Sequence, residues 1–181
     1  MAASEPFEGA LKLAARRAYE KGRLNGALRR GAAAAILAMP GFLLCNETPW
    51  AAVCLAGFAL AVAAGRMRGE DWEEGSRAGA MAGIAPCLLP AAVRLFDPDL
   101  CATIFAHGPW LCGAGGVAAG VILGLRRRAA SDRPFWLGAF AALGFAAAIG
   151  CIPSGAAGFA GLALGVLAGG APILASRKAA A

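Results

Sequence analysis

The sequence predicts an all-α, polytopic membrane helix bundle with six transmembrane helices and both termini cytoplasmic, preceded by an N-terminal amphipathic helix. Composition is the first ground. Of 181 residues, 59% are apolar and 15% charged, and the mean hydropathy is +0.63, a balance of membrane proteins rather than of soluble domains. The second ground is segmentation into six hydrophobic stretches, at 30–45, 50–65, 79–96, 109–125, 135–151 and 155–175, each near the length that spans a bilayer as a helix. The third is sidedness. Of the 17 Lys and Arg, only Arg94 falls outside residues 1–30, 66–78, 126–134 and the tail. Short loops rich in these cations stay on the cytoplasmic side, so an even number of spans follows.

Residues 1–30 read as a separate cytoplasmic arm and 31–181 as the transmembrane domain. In the arm, Phe7, Leu11, Ala14, Ala18 and, after a slip, Leu24 and Leu28 recur at three- and four-residue spacings, with Lys12, Arg16, Arg17, Lys21, Arg23 and Arg29 mostly around the rest. Such a stripe suits either a helix lying on anionic lipid headgroups or a docking surface, through Phe7, Leu11, Arg16, Arg17, Leu24 and Leu28, for a cytosolic protein. The first run lacks a small-x-small cleavage pattern and is expected to remain as a span.

Pro40 is expected to interrupt the first span, and Pro86 and Pro90 to bend the third around Cys87, because each removes a helical hydrogen bond. Trp50, Trp110 and Trp136 stand at span starts, where indole rings anchor at the membrane interface. Gly79 with Gly83, then Gly116, Gly120 and Gly124, then Gly161, Gly165 and Gly169 repeat at intervals of four. That spacing puts them on one helix face and predicts close backbone approach in a compact bundle. The acidic run Glu70-Asp71-Trp72-Glu73-Glu74 reads as part of a solvated loop.

The residue inventory narrows the chemistry. One histidine (His107), one tyrosine (Tyr19) and no carboxylate pair within a stretch leave no proton relay of the kind pumps use. The chain offers no room for a soluble catalytic domain, so no enzyme activity and no cofactor are expected. Gly113-Ala114-Gly115-Gly116 lies inside a hydrophobic stretch with no preceding strand, unlike a phosphate-binding loop. Topology and anionic lipids account for the net charge of +6, and no nucleic-acid reader motif accompanies it, so direct nucleic-acid binding is not expected.

Cysteines carry the remaining signal. Cys45, Cys54, Cys101, Cys112 and Cys151 lie at or near the ends opposite the cations, and Cys87 near mid-span. In a bacterial inner membrane that side faces the periplasm, where thiols meet oxidants and metal ions first. Three uses stay open: a static disulfide such as Cys101–Cys112 or Cys45–Cys54, a reversible sensor joined by oxidation or a soft metal ion, or inert buried thiols. His107, between Cys101 and Cys112, is a solvated loop residue or a nitrogen ligand.

The stretch from Leu125-Arg126-Arg127-Arg128 through Ser131-Asp132-Arg133-Pro134, the Gly/Ala-rich span ending Gly150-Cys151-Ile152-Pro153, and the glycine-rich last span closed by Arg177-Lys178 resemble the six-helix membrane anti-sigma factors of the NrsF type. The resemblance covers about residues 100–181 and the general layout. It implies a protein that holds a cytosolic sigma factor at the membrane and releases it when periplasmic cysteines register metal or oxidative stress. Cys151 with Pro153 then corresponds to the family's cysteine-proline element, and the partner cysteine falls on Cys101 or Cys112. This chain inserts Ile152 before the proline, lacks the polar and aromatic residues usual after it, and carries additional cysteines, Cys45, Cys54 and Cys87.

The expected function is therefore that of an inner-membrane anti-sigma factor sensing through Cys101, Cys112 and Cys151. The competing expectation is a structural accessory subunit of a larger membrane complex, with static disulfides and with integral partners or further copies packed on its small-residue faces. A third, a carrier of soft metal ions using Cys87, lacks a receiving cysteine on the cytoplasmic side.

Overall fold

The computed structural model describes residues 5–45, 49–96, 108–126, 133–151 and 154–179. They form six helices: α1 (Glu5–Cys45), α2 (Pro49–Arg68), α3 (Glu70–Phe96), α4 (Gly108–Arg126), α5 (Arg133–Cys151) and α6 (Gly155–Ala179). The protein is all-α. Among the described residues, α2, α4, α5 and α6 carry segments of 18 to 20 residues long and apolar enough to cross a membrane. Their outward faces match that environment: Leu60, Leu137, Leu164 and Leu167 are each more than half exposed, a density of bare apolar surface that water disfavours.

Two expected boundaries differ from the structure. The arm and the first stretch are one unbroken helix, α1, whose 41 residues extend about 60 Å at 1.5 Å per residue. It runs through Pro40. The break in apolar period between Leu24 and Gly31 changes which face is apolar without ending the helix, and Ala27, Leu28, Arg29 and Arg30, all good helix formers, carry it past Asn25 and Gly26. Residues 66–78, read as a loop, are helical except at Gly69, which turns the chain from α2 into α3 with φ of 123°, a conformation that suits glycine. The Glu73 amide donates to the Gly69 carbonyl at 2.9 Å, so α3 begins at once and the acidic run is its first turn.

Packing contacts show that successive helices alternate in direction. Gly31 of α1 lies on Ala59 and Ala63 of α2, Gly65 of α2 on Ser76 of α3, and Gly115 of α4 on Pro86 of α3. Cations therefore collect at one end, with Arg30, Arg66, Arg126 and Arg133, while Cys54, Cys112 and Cys151 lie toward the other. Trp50 and Trp110, starting α2 and α4 at the cysteine end, are exposed. Trp136, at the cationic end, stacks on Phe140 at 5.5 Å and meets Phe135 edge-on at 5.4 Å.

The most extensive packing joins α4 to α6 and α3 to α5. In both pairs glycine makes the approach possible. A Cβ at Gly75 or Gly79 of α3 would strike the carbonyl oxygen of Phe135 or Ala139 on α5, and a Cβ at Gly116, Gly120, Gly165 or Gly169 would strike the backbone across the α4–α6 contact. The buried core is correspondingly small in side-chain volume: Ala78, Ala82, Ala119, Ala139, Ala142, Ala146 and Ala147, with few larger groups such as Phe58, Leu123 and Ile149. Gly79→Ala should lower stability against thermal or detergent unfolding by about 2 kcal/mol, because the colliding atom belongs to backbone and cannot rotate away. Gly144→Ala, with nothing within 4 Å of the added carbon, should leave it within about 0.5 kcal/mol.

Candidate functional site

At the cysteine end, Cys112 sits in the second turn of α4 and Cys151 is the last residue of α5. Both are buried, and their sulfurs lie 2.8 Å apart. They bridge two helices that otherwise touch little. Ala147 and Leu162 complete the apolar shell, and Gly158 of α6 leaves room for it, since a Cβ there would lie 3.3 Å from the Cys112 sulfur and 2.7 Å from Ser154.

Cys87 lies near the pair on α3. It is buried, with its sulfur 4.0 Å from the Ala38 carbonyl, and Gly41 of α1 and Gly150 of α5 both open space against it. Cys54 is half-buried on α2 beside the cluster that contains Cys87. No disulfide joins Cys54, Cys87, Cys112 and Cys151 to one another, and the expected Cys101–Cys112 and Cys45–Cys54 bridges each call on a side chain outside the described residues. The start of α4 lies beside the end of α5, which sets Cys112 against Cys151. Cys101 and His107 lie outside the described residues, as does the side chain of Cys45. Among the described residues, no group of three His, Cys, Asp or Glu side chains is placed to hold a metal ion.

The opposite end holds an arrangement that sequence reading missed. Glu73, expected to face water, is only 21% exposed; one carboxylate oxygen pairs with Arg30 of α1 and the other with Arg66 of α2. One acid ties three helices. Two neighbours support it: Arg23 donates to the Met67 carbonyl, and the Arg68 guanidinium lies 4.7 Å from the centre of the Trp72 ring. The Ser76 hydroxyl, itself buried, donates to the Glu73 carbonyl at 3.1 Å. The available signal was the spacing of Glu73 from Gly69, which marks it as a first-turn residue of a helix rather than a loop residue.

Beyond this knot α1 continues outward. Residues 11–22 are exposed on every side, Leu11, Leu13 and Tyr19 among them, and so are Leu24 and Leu28. Arg16 pairs with Glu20 at 3.0 Å along the same helix, and Arg17 is exposed; the side chain of Phe7 lies outside the described residues. The apolar stripe is thus bare, and it projects in line with the bundle instead of folding back on it. A recess of 520 Å³ lies at its root, between Tyr19, Gly22 and Arg23 on one side and Arg66, Gly69, Glu70 and Glu73 on the other.

Comparison with models of known protein families, with curated proteins and with solved structures finds no match to this chain.

Two outcomes test this geometry. Mild thiol oxidation of the purified protein should join Cys112 to Cys151 with loss of two hydrogens, seen by mass spectrometry of the linked peptides, and Cys112→Ser or Cys151→Ser should abolish the link. Glu73→Gln should cost about 1 kcal/mol, a modest figure because Arg30 and Arg66 remain 49% and 41% exposed. It should also speed amide hydrogen exchange around residues 23–33, where α1 loses its tie to α3.

Proposed function

We propose that this protein is a redox-responsive regulator of a bacterial inner membrane, an anti-sigma factor with six spans and both termini cytoplasmic, whose α1 arm holds a cytosolic sigma factor. The observation that carries the reading is the buried contact between Cys112 and Cys151 at the end opposite a bare, basic, apolar-striped arm. The choice of client rests on the resemblance of residues 100–181 to anti-sigma factors of the NrsF type.

The chemistry is a two-electron oxidation. A disulfide-bearing oxidant accepts the electrons and becomes a dithiol, both thiol protons leave, and one bond forms between the two Sγ atoms. Oxidation suits this pair better than capture of a metal. Two thiolates on one ion, each about 2.3 Å from it, hold their sulfurs well beyond the 2.8 Å found here.

A bond at this point would fasten α4, and with it α6, to α5. Since α5 is packed along α3, and Glu73 of α3 holds Arg30 at the root of the arm, a continuous packed path runs from the sulfurs to the docking stripe. Signalling along it requires two bundle arrangements of similar energy, one favoured by the bond and the other by the bound client. Glycine-faced contacts allow such small slides.

The test is affinity purification of the full chain from native membranes. A soluble sigma factor should accompany the reduced protein, leave on treatment with a thiol oxidant, and stay bound to Cys112→Ser under the same treatment. Leu24→Asp should abolish capture without altering the bundle. Stoichiometric integral partners insensitive to redox state, with no soluble client, would overturn the proposal in favour of an accessory subunit.

A further inference from the structure

Between α1 and α3, with α2 as its floor, a cleft of 420 Å³ opens beside the Glu73 knot. That volume falls within the range of about 300–1,000 Å³ typical of small-molecule sites. Its lining is graded along the helices. Arg30 and Arg77 stand at one end with Glu73 and Ser76, and the walls continue as Ala33, Ala34 and Leu37 on α1 and Ala80, Met81 and Ile84 on α3, over a floor of Phe58 and Val62. Both walls keep helical spacing, so each presents one face to the cleft. From Arg30 to Leu37, and likewise from Arg77 to Ile84, the apolar walls extend about 10 Å.

The polar end is cationic in sum. Glu73 is the acid of this lip, and both of its oxygens are already engaged by Arg30 and Arg66. Arg77 is exposed and pairs with no carboxylate among the described residues. Arg30 spends one nitrogen on Glu73 and has further N–H donors to offer. Glu70 opens on the separate recess beyond the knot. Two guanidinium groups above an apolar trough complement an anion attached to a hydrocarbon chain.

We propose that this cleft is a binding site for an anionic phospholipid, its phosphate held between Arg30 and Arg77 and one acyl chain laid along Leu37, Met81 and Ile84. Guanidinium groups match phosphate oxygens in fork geometry, and the cationic end belongs to the same end of the bundle as Arg66 and Arg126, where a cytoplasmic leaflet carries its anionic headgroups. The site rests on the placement of the bundle in a membrane and is independent of any sigma factor.

The test uses the full chain in nanodiscs of phosphatidylcholine doped with phosphatidylglycerol, followed by counting of retained lipid by native mass spectrometry. Phosphatidylglycerol should be retained about fivefold or more over phosphatidylcholine, the effect of one arginine near the surface. Arg77→Gln, which leaves the Glu73 knot intact, should remove about fivefold of that preference, and Arg77→Lys should restore part of it. Ala80→Phe, which fills the trough, should reduce retention of both lipids. Equal retention of the two lipids, or a preference left unchanged by Arg77→Gln, overturns the proposal. So does full displacement of the lipid by glycerol phosphate in solution, which would show that the acyl trough adds nothing. A protein that binds lipid in this way yet captures no soluble client would separate this site from the regulatory function.

Discussion

Between α3 and α5, and again between α4 and α6, the helix backbones meet with little more than hydrogens and methyl groups between them, and that closeness governs the remainder of the structure. Where the surroundings are as apolar as the side chains, burying leucine against leucine gives no hydrophobic advantage, so association depends on contact density and close backbone approach. Gly75, Gly79, Gly116, Gly120, Gly165 and Gly169 each remove the atom that would keep the backbones apart. The result is a thin core of alanines, with large side chains such as Leu60, Leu137 and Leu164 turned outward.

The same closeness sets where the sulfurs meet. With α3 tied to α5 and α4 to α6, the contact between α4 and α5 is narrow, and Cys112 and Cys151 lie in it. A covalent link there would join α4 directly to α5, two helices that otherwise touch little. At the other end a single carboxylate, Glu73, gathers α1, α2 and α3. The sulfur pair and the carboxylate knot thus close opposite ends of the described bundle, and the α1 arm extends from the charged one.

Much of this was legible in the chain. Residue spacing pointed to the close-packed glycine faces and to helices at all six hydrophobic stretches, and the separation of cations from cysteines anticipated the two ends. Less legible were the boundaries. The break in apolar period near Leu24 suggested an arm distinct from the first stretch, but a change of apolar face does not by itself end a helix, and α1 runs on through Asn25 and Gly26. The charged run at residues 66–78 suggested a loop because charge was taken for solvation. Gly69 alone makes the turn, and the acids that follow suit the start of a helix, where carboxylates are favoured.

The sequence by itself determined the class: local hydrophobicity, helical period and charge asymmetry are properties of segments, and each segment carries its own. Only the tertiary structure decided the pairings. Which of several cysteines faces Cys151, and which of four clustered acids meets Arg30 and Arg66, depend on how helices distant in the chain are set side by side. Cys112 is separated from Cys151 by 39 residues, and Arg30 and Glu73 belong to different helices with a third between them in the chain. Such choices follow from the register of glycine against backbone across helix contacts, and no periodicity within a single segment encodes it.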